Sequence, residues 1–211
     1  RMEVSVFGAL LLESVGGEVK TKHCVFISDI IDHSTTFSDV LMDRVKALVS
    51  TPAAVSRVSS WSDCGPHFRS YEHLAYVQRS WYEQFRCPVR VCYFVENHGQ
   101  GLVDALFAHV RGWLRTHLMK PGALIETVQG LFQTLRDCAS AQALKDPPPA
   151  GPSYIVDLVT SPAKPEKVWQ LRTKVQIQKT YCLEVGPYSD KNAILVWKNA
   201  VFPDLPSEAP G

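Results

Sequence analysis

A mixed α/β sheet with flanking helices, followed by a small β module, is the fold class this sequence predicts. Three observations carry that prediction. β-rich and helical runs follow one another in the order β-β-α-β-α-β-α-α over residues 4–144. Strands joined through helices pair in parallel, and a leading strand pair with a short gap pairs antiparallel. A Pro-rich stretch, Lys145–Ser153 (KDPPPAGPS), then separates this block from further short β-like runs. The expected division is residues 1–144 as one domain, 145–153 as a stiff linker, and 154–211 as a small β-rich module with a disordered-looking tail.

Each element has its own signal. Val4–Leu12 (VSVFGALLL) is apolar and β-rich until Gly16-Gly17 breaks it, and Lys22–Ile31 is a second such run. The short gap with its glycines predicts a hairpin. Phe37, Val40, Leu41, Val45 and Leu48 recur at helical spacing over Thr35–Val49, with Ser34 or Thr35 available as cap and Pro52 beyond the end. Val55–Trp61 reads as a short strand that runs into Asp63. Gly65-Pro66 breaks the chain before a helix over Arg69–Phe85, whose apolar side is Leu74, Tyr76, Val77, Trp81 and Phe85. Val89–Val95 is a strand, Gly99 and Gly101 form a loop, and Val103–Leu118 is an amphipathic helix. Ala123–Leu144 is helical after the break at Pro121-Gly122. Tyr154–Val159, Val168–Leu171, Val175–Val185 and Ala193–Trp197 are the strands expected of the last module. So small a module is expected to pack on the first domain or on a partner.

Composition narrows the function classes. Lys and Arg number 22 against 21 Asp and Glu, a formal charge of +1, so any case for nucleic-acid binding must be local. No run approaches the roughly 20 apolar residues of a membrane helix, and no membrane insertion is expected. Nothing at the start resembles a targeting segment. Arg1 precedes Met2, which suggests a processed product or a piece of a longer chain. The six cysteines, Cys24, Cys64, Cys87, Cys92, Cys138 and Cys182, form no C-x-x-C pair, so a zinc ribbon is excluded. Scattered as they are, they read as small buried hydrophobes of an intracellular, reducing compartment, with Cys87, Cys92 and His98 as the alternative site.

Two turns carry the chemistry: Ser62-Asp63-Cys64-Gly65-Pro66-His67-Phe68 and His98-Gly99-Gln100-Gly101-Leu102-Val103-Asp104. Each follows a β-rich run and sets a carboxylate at the start of a helical one. Asp63 and Asp104 are therefore expected at the same end of one sheet. Carboxylate oxygens are what magnesium and manganese take as ligands. Phosphodiester transfer with two metals needs such acids around ions about 4 Å apart.

The element order and the two turns resemble the ribonuclease H-like core of eukaryotic DDE/D-type transposases. In that group a strand ends in Ser-Asp before a turn and a helix, and a later strand leads to a His-Gly-Lys-Gly-x-x-Asp turn. Here Gln100 takes the place of the Lys. The resemblance covers about residues 4–118. It implies a ribonuclease H-like mixed sheet, and a Mg or Mn site in which Asp63 is the second acid and Asp104 the third, with Glu96 as the rival of Asp104. The first acid belongs on a strand ahead of the hairpin. It lies upstream of Arg1, or Asp29 or Asp32 replaces it from the wrong strand, or it is lost. Asp32-His33-Ser34 reads equally as a helix cap. His67 and His98 could bind phosphate, or be ordinary turn histidines. Arg69, Arg79, Arg86 and Arg90, beside Tyr71, Tyr76 and Trp81, form a basic strip that could follow a phosphate backbone or be a solvated helix face.

Two function classes stay open. One is a domesticated transposase descendant, serving as a non-catalytic scaffold or nucleic-acid-associated subunit with protein partners in a larger assembly, and DNA or RNA as a further partner. The other is an active metal-dependent transposase or nuclease. The missing first strand, the near-neutral charge and the lack of a zinc finger or helix-turn-helix favour the scaffold. A small-molecule enzyme has no support, because neither a phosphate-binding glycine loop nor G-x-S-x-G occurs.

Overall fold

A computed structural model describes residues 2–32, 34–94, 101–145, 152–160, 176–177, 180–185 and 194–197. The chain forms two compact units, each built from two separate segments: residues 1–50 with 100–165, and residues 51–99 with 166–211.

In the first unit, β1 (Ser5–Val15) and β2 (Glu18–Ser28) pair antiparallel with Val15 opposite Glu18. Gly16 and Gly17 turn the chain at φ 60° and 85°. Both residues sit in the left-handed region, which a two-residue hairpin turn compatible with strand twist requires. β5 (Ser153–Leu158) pairs parallel to the other edge of β2, giving the order β1-β2-β5.

Helices cover both faces of this sheet, which explains why Cys24–Ile27 of β2 reads as an unbroken apolar run rather than an alternating one. Cys24 and Phe26 pack with Phe37, Leu41 and Val45 of α1 (Thr35–Ala47). Val25 and Ile27 pack with Leu106 and Val110 of α4 (Leu102–Leu118) and with Leu131 and Leu135 of α5 (Val128–Ala143). Gly8 on β1 lets α4 come close: a Cβ there would lie 2.8 Å from the Phe107 ring.

The second unit carries a four-stranded sheet of order β3-β4-β6-β7. β3 (Val58–Ser62) and β4 (Val89–Tyr93) are parallel, and β6 (Cys182–Val185) and β7 (Ile194–Trp197) continue antiparallel. Between β3 and β4 runs a helical stretch: α2 (Tyr71–Tyr76), a π-helical turn (Val77–Trp81) and α3 (Tyr82–Phe85). Wider winding aligns residues five apart. Accordingly Trp81 Nε1 donates to the Tyr76 hydroxyl at 3.1 Å. Arg86 ends the stretch in the left-handed region, at φ 52°.

The mixed α/β character agrees with the sequence, and so does the parallel pairing of β3 with β4. The single sheet does not: the hairpin and the parallel pair lie in different sheets. Nor do the late strands form a sheet of their own among the described residues. β5 joins β2, while β6 joins β4. A buried strand with an open edge leaves N–H and C=O groups without partners. The late strands β5 and β6 fill such edges, and β7 then pairs with β6. Residues 146–151 of the expected linker, Val168–Leu171, and the tail beyond Trp197 lie outside the described residues.

Candidate functional site

Asp63 follows β3 in an exposed turn of the second unit. Its Oδ1 accepts the Gly65 N–H at 2.8 Å, a side chain closing its own turn two residues on. A Cβ added at Gly65 would lie 2.8 Å from Asp63 Oδ1 and 2.6 Å from the His67 ring, so both side chains would have to shift. Carboxylate and imidazole thus border the same point above the Gly65 backbone. The His67 ring also leans on Phe68, with centroids 4.5 Å apart. Cys64 points elsewhere: its thiol donates to the Phe94 carbonyl at 3.0 Å.

Asp104 lies in the first unit, in the opening turn of α4. Its Oδ2 accepts the Gly101 N–H at 2.8 Å, while its own N–H donates back to the Gly101 carbonyl at 3.0 Å. That is half of a capping box, and the acid also sits at the positive end of the helix. Asp32 does similar work for α1. Its two oxygens accept the Ser34 N–H at 2.7 Å and the Ser34 hydroxyl at 3.0 Å, and Ser34 Oγ in turn accepts the Phe37 N–H at 3.2 Å. Asp29 is exposed just past the end of β2. Glu96 and His98 lie outside the described residues.

The expected metal pair therefore falls in two units, and each acid holds a backbone amide of its own turn. Among the described residues no group of three or more His, Cys, Asp or Glu side chains gathers where it could hold a metal ion. A magnesium or manganese ion needs several converging oxygens.

The basic strip divides. Arg69 turns inward: its Nε donates to the Ile177 carbonyl at 3.0 Å and its guanidinium to the Thr180 carbonyl at 3.1 Å. The same guanidinium lies over Tyr93 and Tyr181, 5.7 and 4.9 Å from the ring centroids. Arg90 pairs with Glu184 on β6 at 3.2 Å. Arg79 and Arg86 are exposed. Tyr76 and Trp81 are core residues rather than a stacking platform, whereas Tyr71 is exposed.

Sequence reading missed one pair. Cys92 and Cys182 face each other across β4 and β6 with their sulfur atoms 3.2 Å apart. Cys92 is thus tied to a partner outside the alternative set of Cys87 and His98, and like Cys24, Cys87 and Cys182 it is buried, as read from the sequence. A separation of 90 residues leaves no spacing signal from which the pair could be read.

Residues 1–143 match the family described as Domain of unknown function (DUF8701). The chain belongs to this family. No curated protein and no solved structure matches it. The DUF8701 stretch runs through the first segment of both units and on through α4 and α5. It ends at Ala143, the last residue of α5, so β5, β6 and β7 lie beyond it. None of the helices among the described residues is long and apolar enough to cross a membrane.

Proposed function

We propose that this DUF8701 chain is a non-catalytic scaffold or nucleic-acid-associated subunit of a larger assembly, descended from a transposase with a ribonuclease H-like core. The observation that carries the non-catalytic part is the use made of the two acids. Asp63 and Asp104 each accept a backbone N–H of their own turn, one in each unit. Side chains used in this way stabilise a turn and a helix start with no metal present. The descent rests on the two turn motifs and on the parallel β3–β4 pair. The division into two sheets is a departure from that ancestry. Arg69 and Arg90 are engaged inside the second unit and are lost to phosphate contacts. Nucleic-acid binding is accordingly weak and salt-sensitive. Protein contacts are the principal role.

The decisive experiment incubates the purified chain with duplex and hairpin DNA in magnesium or manganese. Nicking should not exceed that of Asp63→Ala. Asp104→Ala should be equally inactive and less stable by about 1 kcal/mol, the typical worth of a helix cap. Metal-dependent cleavage that disappears in Asp63→Ala would overturn the scaffold. It would restore the active transposase, with its first acid upstream or at Asp29 or Asp32.

A further inference from the structure

Cys92 and Cys182 are opposite residues on antiparallel strands of the second unit. The Tyr93 N–H donates to the Tyr181 carbonyl at 2.9 Å, which makes the neighbouring Cys92–Cys182 step a non-hydrogen-bonded one. At such steps the Cα atoms approach to about 4.5 Å, inside the roughly 4.4–6.8 Å that a disulfide spans. Both side chains are buried and their sulfur atoms are already 3.2 Å apart. An S–S bond of about 2.05 Å requires that gap to close by little more than an ångström. We propose that Cys92 and Cys182 are a redox-active dithiol, which a hydroperoxide oxidises to a disulfide that staples the late strand β6 to β4.

The chemistry balances in two steps. The Cys182 thiolate attacks one peroxide oxygen. The O–O bond breaks, and the departing oxygen takes up a proton as alcohol or water. Cys182 is left as a sulfenic acid. The Cys92 sulfur then attacks the Cys182 sulfur, the S–O bond breaks, and hydroxide leaves with the Cys92 proton as water. Two thiols lose two electrons, and the peroxide gains them.

The surroundings set the order of attack. A hydrogen bond from Cys92 and the nearby Arg90 guanidinium lower the Cys182 pKa, against burial and Glu184. The Cys182 bond, burial and the Cys182 charge push Cys92 up. The lower thiol is the one that reacts first. Cys24, by contrast, is pushed up to about 11 by burial.

The staple would join the two separate chain segments of the second unit, 51–99 and 166–211. A cross-link over so long a loop strongly restricts the unfolded chain. The test treats the reduced full chain with hydrogen peroxide, blocks remaining thiols and maps the peptides. The expected product is a Cys92–Cys182 cross-linked peptide two hydrogens lighter than its parts, reversed by dithiothreitol. Thermal unfolding should move up by roughly 5–10 °C on oxidation. Cys92→Ser and Cys182→Ser should each lose the cross-link and the shift. A sulfenic-acid probe should label Cys182 in Cys92→Ser faster than Cys92 in Cys182→Ser. Should either variant fail to fold, the peptide map of the unaltered chain decides. Cys92 and Cys182 still free to alkylate after peroxide, or cross-links that join other cysteines, would overturn the proposal.

Discussion

Both units bury apolar cores, Val89, Val91 and Leu183 among them in the second, but the second also ties its late segment down with single polar groups. In the first, β2 sits between two apolar layers: Cys24 and Phe26 meet α1, while Val25 and Ile27 meet α4 and α5. In the second, single groups pin the late segment in place. Arg69 holds the Ile177 and Thr180 carbonyls, Arg90 holds Glu184, and Cys92 faces Cys182. Layered burial spreads stabilisation over many atoms, each contributing little. Pinned carbonyls concentrate it in a few groups whose loss leaves buried acceptors without donors. The first unit should therefore lose stability in proportion to the volume removed, and the second by release of one segment.

The largest effect should come from Leu106→Ala. Leu106 is fully buried between sheet and α5, and such a truncation typically costs about 2–5 kcal/mol. Chemical denaturation measures it, and a cost below about 1 kcal/mol would mean that the layered core is not tight. Arg69→Met should come next, at roughly 2–3 kcal/mol, because it keeps the bulk of the side chain and removes both donors. Its signature is local. Amide exchange should accelerate at Tyr181–Val185 and stay unchanged along β2. Equal acceleration in β2 would erase the distinction between the two units.

The smallest effect is a pH dependence inside the first unit. His23 faces the α4 side of the sheet, with its ring edge-on to Tyr154 at 5.0 Å and its Nδ1 buried without a partner. Burial first, and then His109, lower its pKa from the usual 6.5. The folded chain thus holds His23 neutral where the unfolded chain would protonate it. Stability is full above pH 6.5 and falls as the pH drops from there through the lowered folded value. The groups facing His23 are His109 of α4 and Tyr154 of β5, themselves joined by a 2.8 Å hydrogen bond. His23→Leu should flatten the stability difference between about pH 7.5 and about pH 5.5. An unchanged slope would mean that His23 does not set the dependence.

Local elements were legible in the chain because local physics makes them. Gly16-Gly17 dictates the hairpin, Ser34, one of the two caps the sequence offered, caps α1, and the apolar spacing over Val103–Leu118 marks α4. The parallel β3–β4 pair follows from the helical stretch between the strands. The π-helical turn was invisible, since Tyr76 and Trp81 fit an α-helical apolar side equally well. At the candidate site, the sequence placed an acid in each turn but not the backbone N–H that each one accepts.

What the sequence determined by itself is therefore most local elements from β1 to α5, the turn chemistry and the apolar run Cys24–Ile27 within β2. Which strand fills which edge was decided only by the tertiary structure. Ser153–Leu158 beside β2 and Cys182–Val185 beside β4 are pairings over about a hundred residues, and no local period encodes them. The same holds for Arg69, whose charge reads as a surface feature until Ile177 and Thr180 arrive to accept its hydrogen bonds. Partner choice at long range depends on which buried polar groups remain unsatisfied once the local elements have packed, and that is settled in three dimensions.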